Sequence, residues 1–219
     1  MPGRLEHPAA HAVVQWQHVG ESVLAGVCHT LNSRITALWG VAELLSADVT
    51  SESLMALLRA ELQRLEQLAR LLHWLPRRPG RGVEPISLAD LLPELIELHR
   101  EHHGLDRIRV ELEGDPRTPA ILVDPAALCR AVLLLLAAAG RAVAGRAGKV
   151  AAAYGPTEAG AALTIRAHGA GQPGDGEEGV LPELEAARHI LGGASEISAS
   201  RDGDGPGAAL SFELRFPAA

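Results

Sequence analysis

His29 is the residue of this chain whose surroundings could do chemistry. Asn32, Ser33 and Thr36 follow it at plus three, plus four and plus seven, so on a helix the four share one face. An unperturbed imidazole is mostly neutral near pH 7 and can take or give a phosphoryl group; it can equally be a solvated helix residue. The other nucleophile candidates have less company. Cys28 and Cys129 both fall in apolar helical patterns and read as reduced, buried, small hydrophobes, Cys28 as a packing residue. His18, His73 and His99 read as ordinary helix histidines. The pair His102-His103, beside Glu101 at a helix end, reads as a surface cluster rather than a metal site, and no metal is expected.

Two helices must position His29. The stretch Val23 to Leu45 places Leu24, Cys28, Leu31, Ile35, Leu38, Ala42 and Leu45 on a seam of alternating four- and three-residue steps, the pattern of a bundle helix. Ser22, Gly26, Ser33 and Thr36 leave room beside His29 for a partner helix. The first helix is expected over 13–47, after a disordered arm at 1–12. The second is expected from Ser51 to Leu75, with the seam Met55, Leu58, Leu62, Leu65, Ala69 and Leu72, ending at Pro76. Two helices cannot enclose so wide an apolar face, and a second copy of the hairpin is the simplest cover, giving a homodimeric four-helix bundle through residues 13–76.

Residues 77–82 read as a linker, and beyond them the texture changes. Short strands are expected at 83–86, 108–112, 121–123, 149–154, 161–167, 196–201 and 208–216. Helices are expected after Ser87, which resembles a capping box with Asp90, after Asp124-Pro125, and over 181–191 before Gly192-Gly193. Residues 83–219 thus predict one largely antiparallel sheet with helices over one face. The fold class is multidomain, an α hairpin followed by an α+β sandwich.

A formal net charge of −7 and a single lysine, Lys149, argue against a nucleic-acid partner. The longest purely apolar run, Ala131 to Ala139, is far short of the roughly 18–20 residues of a membrane span. With no basic-then-apolar leader at the N-terminus, the expectation is a cytoplasmic protein without a membrane partner.

The order of elements, with HTLNSRITALWGVAELL around His29, resembles a bacterial sensor histidine kinase. His29, Leu31, Asn32, Gly40 and Glu43-Leu44-Leu45 match the family's histidine box. The resemblance implies a dimerisation and histidine-phosphotransfer hairpin, then an ATP-binding sandwich. The nucleotide motifs depart from the family. The asparagine positions that would hold magnesium and nucleotide fall on Leu134 and Ala138 of LCRAVLLLLAAAGRAV. The adenine-reading aspartate falls on Ala167, although Gly169 and Gly171 of its turn remain. GVLPEL, from Gly179, lacks the paired glycines, and about eight residues replace the ATP lid. Thr30 stands where these kinases place an acid.

The resemblance therefore implies a kinase-like histidine phosphotransferase with a degenerate ATPase domain. His29 is the phosphoacceptor, and Thr30, Asn32, Ser33 and Thr36 orient the ring or meet the partner. The partners implied are response-regulator receiver domains, which bring their own Mg2+; this chain is expected to bind no cofactor. The alternatives are a divergent ATP-dependent sensor histidine kinase and a non-catalytic dimeric scaffold that binds response regulators.

Overall fold

The structure, a computed structural model, describes residues 8–46, 52–72, 82–105, 107–144, 148–169, 182–202 and 208–217. Helix α1 runs Pro8–Ser46 and α2 runs Glu52–Leu72, forming the expected hairpin. The arm is shorter than its expected 12 residues, since helix begins at Pro8, a residue whose fixed φ and missing N–H suit a first turn. Gly179 to Leu181 of the second glycine-motif segment, the lid and most of the linker lie outside the described residues, whereas Pro182 to Leu184 open a helix.

The hairpin is held in register by charge as well as by apolar contact. Glu61 of α2 is nearly buried and accepts from Arg34 of α1 at 3.2 Å and from Arg64 at 2.5 Å. Removing the carboxylate strands two cations, but both arginines keep solvent on one side. Glu61→Ala is therefore expected to cost about 1–2 kcal/mol, less than the roughly 3–5 kcal/mol of a fully buried pair, as read by urea denaturation.

Strand β1 (Glu84–Ile86) leads to α3 (Leu88–Arg100), which Ser87 caps by accepting from the Asp90 N–H at 3.3 Å. β2 (Val110–Gly114) and β3 (Ile121–Val123) precede α4 (Pro125–Val143). Asp124 starts α4, its carboxylate accepting from Ala126 and Ala127 at 2.9 and 3.1 Å. Then come β4 (Lys149–Thr157), β5 (Gly160–His168), α5 (Pro182–Leu191), a 3-10 turn, β6 (Glu196–Asp202) and β7 (Ala209–Pro217).

The main sheet has the order β2-β4-β5-β7-β6. Among the described strands only the β2–β4 pair is parallel; in the antiparallel body Ala152 faces Ile165, and Ile165 faces Phe212. β1 and β3 form a separate antiparallel ribbon. Inward residues of β4, β5 and β7 (Val150, Ala152, Leu163, Ile165, Phe212, Leu214) meet α3, α4 and α5 in one core. Helix α4 is buried almost all round. By length and composition it passes as a membrane span, but most of it is buried inside the sandwich, as its core helix.

The packing of α1 differs from expectation. Leu24, Cys28, Ile35 and Ala42 of the predicted seam are exposed in the single chain, and Leu31 and Leu38 are half-buried. The buried stripe of its N-terminal half is instead Ala12, Val19, Val23 and Val27, flanked by Trp16. It lies against Leu98 of α3, Leu133, Leu134 and Ala137 of α4, and Ala186 of α5, forming a second core. Both stripes have helical spacing, and the valine stripe is displaced by about one residue, some 100° around the helix. Each valine covered in this way contributes roughly 1.5–3 kcal/mol over an exposed one, as a leucine would, and the position of α4 and α5 selects the valines. That contact leaves the leucine-isoleucine stripe facing outward.

Candidate functional site

Helix α1 carries His29 on its exposed side. Asn32, Ser33 and Thr36 are also exposed and share the face, as their spacing requires. Two of the hydroxyls spend their protons on the helix backbone. Ser33 Oγ donates to the His29 carbonyl at 3.1 Å, and Thr36 Oγ1 donates to the Asn32 carbonyl at 3.0 Å. They leave the imidazole free, and they can still accept a hydrogen bond from a visiting group.

Thr30 is placed differently. It is half-buried, and its Oγ1 donates to Glu101 Oε2 at 2.5 Å. Glu101 caps the C-terminal end of α3. The contact belongs to a docking seam. The His103 N–H donates to the Ser22 carbonyl at 3.1 Å, and a Cβ on Gly26 would run into the Glu101 carbonyl. Ser22, Gly26 and Thr30 thus form a stripe at four-residue spacing that receives the turn after α3. The room foreseen at Ser22 and Gly26 for a partner helix is filled by this turn of the same chain.

Beneath the seam lie two histidines that sequence reading placed in solvent or left as ordinary helix residues. His99 is fully buried and neither ring nitrogen has a hydrogen-bond partner among the described residues. His102, expected in a surface cluster, is also buried; only His103 is exposed. The His102 Nδ1 lies 2.9 Å from the His103 carbonyl oxygen, which can only accept, so the ring donates from Nδ1. The two rings are 6.0 Å apart, centre to centre. Burial, then the neighbouring His102 and Arg141, lower the His99 pKa from 6.5 to about 4. His102 is lowered too, chiefly by burial, with Arg141 and His18 adding and the His103 carbonyl opposing. No group of three His, Cys, Asp or Glu side chains gathers as a metal site among the described residues.

The positions to which the resemblance assigns the nucleotide contacts are apolar and closed. Leu134 is 0% exposed and belongs to the core shared with Val19, Val23 and Val27 of α1. Ala138 and Ala167 are 5% and 0% exposed and belong to the main core. Gly169 turns the chain after β5 at φ 76°, a conformation that favours glycine. Gly171 lies outside the described residues. Arg130 of α4 stacks over the Trp16 ring of α1 at 4.9 Å, so the contact between these helices continues beyond the valines.

Sequence reading missed Glu101 and the burial of His99 and His102. The four-residue spacing of Ser22, Gly26 and Thr30 was the available signal. No local pattern says which segment fills such a stripe.

No protein-family model matches the chain, and the search of curated proteins finds no relative. Among solved structures, the chain is similar to the catalytic domain of histidine kinase ThkA (17% identity, TM-score 0.48, 62% of this chain and 97% of that one). It is also similar to the Acinetobacter baumannii histidine kinase AdeS (19%, 0.47, 86% of this chain and 97% of that one). A third is a bacterial phosphotransferase (15%, 0.45, 90% of this chain and 95% of that one).

Proposed function

We propose that this chain is a histidine phosphotransferase of a two-component phosphorelay. It exchanges a phosphoryl group between His29 and aspartates of response-regulator receiver domains and uses no ATP of its own. The observation that carries the reading is a contrast within one structure. His29 stands open on a polar face of α1, while Leu134, Ala138 and Ala167 are packed shut, Leu134 in a core it shares with α1 itself.

The chemistry asks little of the protein. A neutral imidazole nitrogen attacks the phosphorus of an aspartyl phosphate in line. The N–P bond forms as the acyl O–P bond breaks, the aspartate carboxylate is released on the partner, where a bound Mg2+ would neutralise its charge, and the ring proton passes to solvent. Positioning and charge neutralisation supply most of such catalysis. Asn32, Ser33 and Thr36 offer hydrogen-bonding groups to the visiting receiver. The homodimer fits the same reading, because Leu24, Ile35, Trp39, Leu57 and Leu62 leave an apolar face on the hairpin exposed. A cytoplasmic setting is where receivers would meet it.

The test is incubation with phosphorylated receiver domains. Label is expected on the wild type and absent from His29→Ala. Label that never reaches the chain, or reaches the alanine variant equally, overturns phosphotransfer and favours a scaffold. Mg-ATP is expected to leave the melting temperature unchanged; a clear rise would favour a divergent kinase.

A further inference from the structure

Three contacts bring the turn after α3 to α1, and they end beside the phosphoacceptor. Ser22 takes the His103 N–H, Gly26 admits the Glu101 carbonyl, and Thr30 gives its proton to Glu101 Oε2. Four-residue spacing makes these one line along the helix. The last of them is adjacent in sequence to His29. A carboxylate 71 residues from Thr30 along the chain is thus hydrogen-bonded to the residue that follows His29.

We propose that Glu101 is a positioning residue for His29, acting through Thr30 to hold a negative charge beside the ring. The role rests on the reading of His29 as phosphoacceptor. As phosphorus bonds to one imidazole nitrogen, the ring gains positive charge until the proton on its other nitrogen departs. A fixed carboxylate nearby favours that charged form. The charge is available, because the neighbouring Arg100 is committed to Glu97 and no ion pair engages Glu101 among the described residues. Thr30 contributes direction. A hydroxyl has one proton and two lone pairs, and with the proton spent on Glu101 it faces other groups only as an acceptor, strengthened by the bond it donates. The Gly26 and Ser22 contacts keep the carboxylate from swinging away.

The experiment uses the full chain and potassium phosphoramidate as phosphodonor. The P–N bond of the donor breaks, a bond from phosphorus to His29 forms, and the ring proton leaves on ammonia. Labelling of His29 is followed by mass spectrometry for the wild type and for Glu101→Gln, Thr30→Val and Thr30→Ser. Glu101→Gln keeps the volume and the acceptor oxygen while removing the charge, and is expected to label about tenfold more slowly, the equivalent of roughly 1.4 kcal/mol. Thr30→Val is expected to slow labelling similarly, Thr30→Ser to stay near wild type, and the Thr30→Val/Glu101→Gln double variant to be no slower than either single one. A merely structural contact would lower stability without this pattern, so a fallen melting temperature with unchanged labelling overturns the role. Equal labelling of wild type and Glu101→Gln overturns Glu101 alone. A wild type that takes no label at His29 overturns the phosphoacceptor reading, and the role with it.

Discussion

Gly26→Ala is expected to destabilise the protein, against the sign that helix propensity alone would give. Replacing an interior helix glycine by alanine favours the helix by about 1 kcal/mol. At Gly26 the new methyl meets the Glu101 carbonyl, which is backbone at the end of α3 and cannot rotate aside as a side chain would. Forcing atoms into such a contact costs about 1–3 kcal/mol, and a clash with backbone puts the cost at the upper end, so the net loss is up to about 2 kcal/mol for alanine and larger for Gly26→Val. Gly40 supplies the control on the same helix. Among the described residues nothing lies within 4 Å of a Cβ built there, so Gly40→Ala is expected to stabilise. Hydrogen exchange locates the effect. The His103 amide, bonded to the Ser22 carbonyl, should lose protection in Gly26→Val well before the amides of β5 and β7. If Gly26→Ala gains stability as Gly40→Ala does, α1 does not dock on this turn.

Acidification is expected to destabilise the protein between about pH 6.5 and 4 through His99. The folded state holds this ring neutral down to about 4, whereas the unfolded chain takes a proton near 6.5. Within that window the unfolded state binds more protons, so stability is full above it, falls as pH drops, and levels off below it. At about 1.36 kcal/mol per pKa unit the loss is of the order of 3 kcal/mol. The groups facing the ring are part of that shift. His102 lies on the same turn and Arg141 on α4, which is itself paired with Glu183 of α5; His18 of α1 acts on His102. Asp115, held at about 2 by the Arg117 side chain, titrates below the window and does not confuse it. His99→Leu keeps an apolar filling of similar size and is expected to flatten most of the slope in urea-melt stability between pH 7 and 4.5. An unchanged slope would place the sensitivity elsewhere.

How much of this could be read in advance follows from the range of each interaction. The N-caps at Ser87 and Asp124, the strands that became β1 to β7, and the end of α5 before Gly192 are set by residues within a few positions of one another. The caps close locally, and a strand's alternation is a local pattern even though β1–β3, β2–β4 and β5–β7 pair segments far apart in the chain, so spacing and residue type were enough. The shared face of His29, Asn32, Ser33 and Thr36 follows from helical geometry alone. The apolar character of α4 marked it as a core helix for the same reason.

Helix α1 shows where that ends. By itself the sequence determined that it is a helix with His29 on a polar face, and that positions 134, 138 and 167 carry no group able to hold a nucleotide or its metal. It did not determine which of two apolar stripes on α1 is covered. Leu24, Ile35 and their neighbours have as good a period as Val19, Val23 and Val27, and period records only that a stripe exists. The tertiary structure decided for the valines, because α4 and α5 lie across them, and it filled the Ser22-Gly26-Thr30 stripe with the turn at Glu101. It also buried His99 and His102, and brought a carboxylate to Thr30. Each of these depends on which segments distant in the chain arrive together, and that depends on the total apolar area the sandwich can close over, which no local pattern contains.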